Sequence, residues 1–280
     1  MLPWVDKLTD WPTILTVASQ RMKKEILRLY HTAEAGKGFG VGAGGDIKKK
    51  IDLAAEKALL DTLNEYKASC TLVSEESGTQ QIGAEPPKYI LTTDPLDGTT
   101  NALRGLPFIA TSLAVSRKPY LQEVKVALVS DLIHNVTYTA QRGHGAFKNG
   151  EVIKPSKKVS LEDAVVGVDL NTIKAKQIVN QMIRLFEQTK HLRHFGANAL
   201  EICYVADGST DAFIDIRGKL RTTDVAAAQL ILREAGGIIT TPDGKTLDAQ
   251  LDAAQRISFI AAANKTLHDT IQKLLKAHES

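Results

Sequence analysis

Asp94 and Asp97 stand three residues apart in "LTTDPLDGTTN", directly after an apolar run. Pro95, between them, fixes one φ and removes an N–H donor, so it can hold both carboxylates in one rigid turn. Gly98 lets backbone approach a ligand closely, and Thr99 and Thr100 add hydroxyls. If the segment opens a helix, its unpaired N–H groups can receive phosphate oxygens. Other acids sit at comparable places: Glu75 and Glu76 follow "TLV", and Asp224 begins "DVAAAQLILREAGG". Carboxylates gathered in one cleft repel each other and need protons or a cation to coexist. An all-oxygen set suits Mg2+, which takes carboxylates, carbonyls, water and substrate phosphate. Each motif alone also has a plainer reading: a polar turn, a solvated acid pair, a helix-start acid beside the dipole.

The elements that must position these acids are legible as patterns. Trp11, Leu15, Ala18, Met22, Ile26 and Leu29 recur at helical spacing and predict a first helix from about Pro12 to His31. "EAGKGFGVGAGGD" follows and reads as a mobile, glycine-rich loop. Gly40, Gly42 and Gly45 fit the dinucleotide pattern G-x-G-x-x-G, but a helix precedes them, which speaks against nucleotide binding. Ile51 to Tyr66 predicts a second helix; "CTLVSEES" and "PPKYILTTDPLDG" predict strands that end in acids. Residues 110–153 read as a β-meander with a hairpin turn at Asn149-Gly150. Beyond "KPSKKVSLEDA" the pattern alternates: strand at "VVGVDL", helix from Asn171 to Lys190, then strand, helix and strand to Gly218. The helix "TTDVAAAQLILREAGG" stops at Gly236 and Gly237; strands and a helix from Lys265 to His278 complete the chain. The first half is thus α+β and the second α/β, with a boundary near residue 155 separating a 1–154 unit from a 155–280 unit.

Composition narrows the class. The chain has 280 residues, 43% hydrophobic and 24% charged, with a formal charge of +3 and only 5% aromatics. That argues against a nucleic-acid groove, which needs more basic residues and stacking rings. Lys48, Lys49 and Lys50 read as a solvated face or as a positive rim near an anionic substrate. No apolar run is long enough to cross a bilayer, and the start "MLPWVDKLTDWPT" does not resemble an export signal. Scattered histidines and two cysteines in apolar contexts, Cys70 and Cys203, offer no zinc cluster; buried free thiols point to a cytoplasmic setting.

"DPLDGTTN" and "TDVAAAQLILREAGG" resemble the two signatures of the inositol monophosphatase family, magnesium-dependent and lithium-sensitive sugar phosphatases. "GDIKKKIDLAAE", "SEES", "GAFKNGEVI" and "GANALEICYVADGSTDAF" are also similar, so the resemblance runs from about residue 21 to 264. It implies a layered α-β-α-β-α fold, two to three Mg2+ ions, a sugar or polyol phosphate as substrate, and a homodimer. By the same resemblance Glu75, Asp94 and the carbonyl of Leu96 bind a first ion, and Asp94, Asp97 and Asp224 a second. Glu75 with water binds a weaker third near the glycine-rich loop, where Asp46 and Asp52 match outer acids. Thr99, helped by Asp52, activates the water, and Gly98 and Thr99 offer N–H groups to the phosphate. Asn198, Asp97 and Asp215 face the sugar; Asp215 fits only if two extra residues lie before Asp224. The implied reaction is direct in-line attack of metal-activated water on a phosphomonoester.

Two departures stand out. Thr223 occupies the place of the signature tryptophan, and Thr222 or Thr223 could cap the helix instead. "DIRGKLRTTD" sets Arg217, Lys219 and Arg221 before Asp224, which resembles the archaeal branch acting on both inositol monophosphate and fructose 1,6-bisphosphate. A second phosphate suits a guanidinium fork, with Arg193 and Arg217 as candidates beside the reading of plain surface cations. Two rivals are kept: a phosphatase for 3'-phosphoadenosine 5'-phosphate, and a non-catalytic regulatory or RNA-associated member of the fold.

Overall fold

The computed structural model describes residues 9–173 and 175–276. Asp10 caps the first helix, α1 (Trp11–Leu29), by accepting the Thr13 N–H, and Pro12 fits its first turn. The glycine-rich segment forms a small hairpin, β1 (Gly38–Val41) with β2 (Ile47–Lys49), where the sequence suggests an open loop. It leads into α2 (Lys50–Glu65). Strands β3 (Cys70–Ser74), β4 (Gly78–Ile82) and β5 (Ile90–Asp97) follow, then the short helix α3 (Thr99–Arg104). The meander is β6 (Ala110–Ser116), β7 (Val124–Asp131), β8 (Val136–Gln141), β9 (Ala146–Lys148) and β10 (Glu151–Val152). The turn between the last two uses positive φ at Asn149 and Gly150, as the sequence predicts.

The remaining elements are β11 (Val165–Val168), α4 (Lys176–Gln188), β12 (His191–Arg193) and α5 (Asn198–Ala206). After them come β13 (Ala212–Arg221), α6 (Thr222–Ala235), β14 (Ile238–Thr240), β15 (Arg256–Ala262) and α7 (Lys265–Lys276). Helix α4 starts later than the periodicity from Asn171 suggests. The predicted end of the last helix at His278 lies outside the described residues, as does the start of the chain through residue 8.

Strands β3 to β10 form an eight-stranded sheet, ordered β10-β9-β8-β7-β6-β5-β3-β4, and β11 to β15 a five-stranded sheet, ordered β12-β11-β13-β15-β14. Period-two alternation divides strands such as β6 and β13 between two cores. On β6, Leu113 and Val115 join Leu15, Met22, Leu59 and Leu63 of α1 and α2. Ala110 and Ala114 face the other way, into a core shared with α5 and α6. That sheet face also carries Ala127, Ala140 and Ala146, and α6 answers with Ala226, Ala227 and Ala228, so small residues let helix and sheet approach closely. On β13, Phe213 enters this central core, while Ala212 and Ile214 pack outward with Met182 of α4 and Ile271 of α7. The result is five layers, α-β-α-β-α, with α5 and α6 between the sheets. Among the described residues no helix is long and apolar enough to cross a membrane.

Candidate metal centre

Topology brings the acids together. Nearly all neighbours in the large sheet are antiparallel, but β3 and β5 run parallel, with Ser74 opposite Thr93. That register carries Glu75, one residue past β3, alongside Asp94. Asp224 arrives from the other sheet, in the first turn of α6. Oxygens of Glu75, Asp94 and Asp224 lie within 4.8 Å of one another.

The D-P-L-D turn is a β-bulge. Asp94 pairs with Ser112 and Asp97 with Ala110, so β5 advances three residues while β6 advances two. Residues three apart on a regular strand point to opposite faces; one extra residue restores a common side. The Leu96 N–H donates to Asp94 Oδ1 at 3.0 Å, and the Thr111 hydroxyl holds the Pro95 carbonyl at 2.8 Å. Gly98 follows with φ +89°, and an added Cβ would meet the Phe108 carbonyl at 3.1 Å and Ala197 Cβ at 3.2 Å. Glycine is required there twice over, by dihedral and by space.

Asp97 receives the start of α5: Oδ1 accepts the Asn198 N–H at 3.0 Å and Oδ2 the Ala199 N–H at 2.7 Å. The side-chain Oδ1 of Asn198 is buried without a partner, an acceptor free for a ligand. Thr99 Oγ1 lies 2.9 Å from Asp52 Oδ1 and 3.1 Å from the Leu96 carbonyl. Asp52 is fixed in turn by the Lys49 N–H at 3.1 Å. Asp224 accepts the Arg221 N–H in the same way, at 3.2 Å. Neither threonine caps α6 as the sequence suggests. Thr222 exchanges hydrogen bonds with the Asp252 backbone, and Thr223 donates to Asp224 Oδ1 at 3.0 Å.

The electrostatics leave the cage needing protons or a cation. Burial, then the charge of Asp224, drives the Glu75 carboxyl well above its usual range. Burial, then Glu75, does the same to Asp94, and burial raises Asp224. Asp97 is pushed up to about 8 by burial and Asp224, and Asp52 to about 6 by burial. Such groups ionise together only beside positive charge. The donors are all oxygen, so the set fits a hard dication such as Mg2+.

The glycine-rich turn covers this cage. The Gly44 N–H donates to the Glu75 carbonyl at 2.9 Å and the Ala43 N–H to the Glu76 carbonyl at 3.2 Å. Gly40 lies in β1 and Gly42 and Gly45 in the turn that follows, where a dinucleotide motif has no helix to open.

The substrate-side candidates have partners of their own within the chain. The resemblance implies Asp215 at the sugar, and Arg217 is a candidate for a second phosphate; in the structure the two side chains pair with each other. Asp215 is fully buried, and its Oδ1 accepts the Arg217 backbone N–H at 2.9 Å and Nε at 3.0 Å. Nη2 reaches both Asp215 Oδ2 and Asp169 Oδ2 at 2.5 Å, and Nη1 the Asn171 carbonyl at 2.9 Å. Between Asp215 and Leu220 β13 advances five residues while β15 advances two, an irregularity that includes Gly218 at φ +64° and the Arg217 that folds back on Asp215. Arg193 stays exposed at the end of β12. Sequence reasoning missed Arg256 and assigned Arg221 no contact. Arg256 Nη2 meets the Gly44 carbonyl at 2.6 Å and Arg221 reaches Glu75; both contacts are long-range and leave no local signal.

The inositol monophosphatase family model matches residues 11–280. A fructose-1,6-bisphosphatase/inositol-1-monophosphatase of Methanothermobacter thermautotrophicus is 35% identical over 274 residues, covering 95% of this chain and 96% of that protein. One of the same description from Thermococcus kodakarensis is 34% identical over 269 residues, covering 95% and 98%. A solved inositol monophosphatase–fructose 1,6-bisphosphatase is 30% identical with TM-score 0.82, covering 95% of this chain and 100% of that one.

Proposed function

The chain belongs to the inositol monophosphatase family, and from that premise we propose that it hydrolyses inositol 1-phosphate, fructose 1,6-bisphosphate or both. The coarser activity, magnesium-dependent hydrolysis of sugar or polyol phosphomonoesters, follows from the family and the acid cage. The carrying observation is the convergence of Glu75, Asp94 and Asp224 within 4.8 Å, beside the Thr99–Asp52 pair.

In this reading Glu75, Asp94 and the Leu96 carbonyl would hold one ion, Asp94, Asp97 and Asp224 would hold another, and Glu75 would serve a weaker third. Bound there, magnesium supplies Lewis-acid polarisation of the phosphate and a more acidic water. The chain's own groups do the orienting. Thr99 has one hydroxyl proton; donating it to ionised Asp52 leaves its lone pairs to accept from the attacking water. Backbone N–H groups at Gly98 and Thr99 face the phosphate. The N–H groups of α5 hold Asp97 in place, and the unpartnered Asn198 Oδ1 accepts a substrate hydroxyl. Arg193, rather than the enclosed Arg217, is the guanidinium left for a second phosphate.

Phosphate release with magnesium from inositol 1-phosphate, fructose 1,6-bisphosphate and 3'-phosphoadenosine 5'-phosphate tests the assignment. Turnover of either of the first two supports it. Turnover of the adenosine bisphosphate alone replaces it with a nucleotide phosphatase.

A further inference from the structure

Arg221 sits between the cage and the glycine-rich turn. Its Nη1 lies 2.9 Å from Glu75 Oε1, and its Nη2 pairs with Asp46. Nε and Nη2 are 3.3 Å and 3.2 Å from the Gly44 carbonyl. One guanidinium therefore joins a candidate metal ligand, an acid of the turn and the turn's backbone. The contact is tight: a Cβ on Gly44 would lie 2.6 Å from Arg221 Nε and 2.9 Å from Glu75 Cγ. The pair is also at the rim, since the Arg221 side chain is 14% exposed and that of Asp46 77%.

A hard dication binds carboxylate oxygen at about 2.1 Å. Placed on Glu75 Oε1 or on Asp46, it would lie within a few ångströms of the guanidinium, and the like charges would repel. We propose that Arg221 is a positioning residue that competes with a divalent cation for Glu75 and Asp46, so that loading this outer site releases the glycine-rich turn. This rests on reading the acid cage as a cation site. Coupling of this kind is reciprocal: ion binding loosens the turn, and freeing the turn from Arg221 tightens ion binding. A supporting role for Arg221, in which it merely aims Glu75 at the ion, makes the opposite prediction.

The test uses the full chain and Mn2+, with binding followed by the resonance of free Mn2+ and the turn by amide exchange at Gly44. Arg221→Gln removes the charge; Arg256→Gln removes one of the two guanidinium groups on the Gly44 carbonyl while leaving Glu75 paired. Competition predicts that Arg221→Gln binds Mn2+ about fivefold or more tightly than wild type, and that Arg256→Gln tightens it less. In wild type, Mn2+ should speed exchange at Gly44. Unchanged or weaker Mn2+ binding by folded Arg221→Gln overturns the proposal, as does slower Gly44 exchange with Mn2+. If Arg221→Gln does not fold, the wild-type exchange result decides alone. Wild type that binds no Mn2+ overturns the cation-site reading itself, and this inference with it.

Discussion

Thr99 Oγ1 lies 2.9 Å from Asp52 Oδ1, joining the start of α3 to the first turn of α2. The pair orients the hydroxyl beside the acid cage, where it also lies 3.1 Å from the Leu96 carbonyl. Thr99→Ala should therefore lower kcat about a hundredfold while shifting KM little. Steady-state kinetics on the preferred substrate checks this; a KM effect with kcat intact would assign Thr99 to binding.

Burial pushes Asp52 up to about 6, so it is protonated below that pH and ionised above it. Only the ionised form is the strong acceptor for Thr99. Activity should fall as pH drops through about 6, and Asp52→Asn should flatten that limb at a lower plateau. A pH–kcat profile of both proteins measures it.

The stability of the protein in chelator should fall as pH rises. Asp97 and Glu201 are both pushed up to about 8, chiefly by burial. They bind protons in the folded chain that the unfolded chain has already shed above about 4. Their contribution is full below that value and is lost as pH climbs toward 8. Magnesium should raise the melting temperature more at pH 8 than at pH 5.5, since an ion replaces the protons of the cage. Equal shifts at the two pH values would contradict this.

Arg217 and Arg193 should separate stability from substrate binding. Arg217→Met leaves Asp169 and Asp215 buried without their partner, a change that costs about 3–5 kcal/mol, measurable by denaturant unfolding. Arg193→Met should leave stability nearly unchanged and raise KM for fructose 1,6-bisphosphate more than for inositol 1-phosphate. Near-equal KM ratios would remove Arg193 from the second-phosphate role.

What the sequence revealed and what it hid follow from the range of each interaction. The D-P-L-D-G-T stretch is legible because its proline, glycine and acids act on their neighbours. The buried stripe of α1 and the stop of α6 at Gly236, which has φ +102°, are local for the same reason. The parallel register of β3 and β5 is not local, yet it brings Glu75 to Asp94. The pairing of Asp215 with Arg217 and Asp169 is hidden from the sequence because it depends on a strand irregularity and on a residue from another strand end. The glycine-rich segment reads as a mobile loop; the contacts that fasten its turn, to the Glu75 carbonyl and from Arg221 and Arg256, come from distant parts of the chain.

The most direct measurement is a magnesium titration of phosphate release from inositol 1-phosphate and fructose 1,6-bisphosphate, with wild type and Asp94→Asn. Asp94 belongs to the buried acid cluster and is read as shared between two ions. The account predicts saturable magnesium-dependent release by wild type. It predicts more than about a hundredfold loss in Asp94→Asn at ordinary magnesium, beyond the usual effect of disturbing a ligand's supporting partners. Release that is indifferent to chelator, or full turnover by Asp94→Asn, would contradict it.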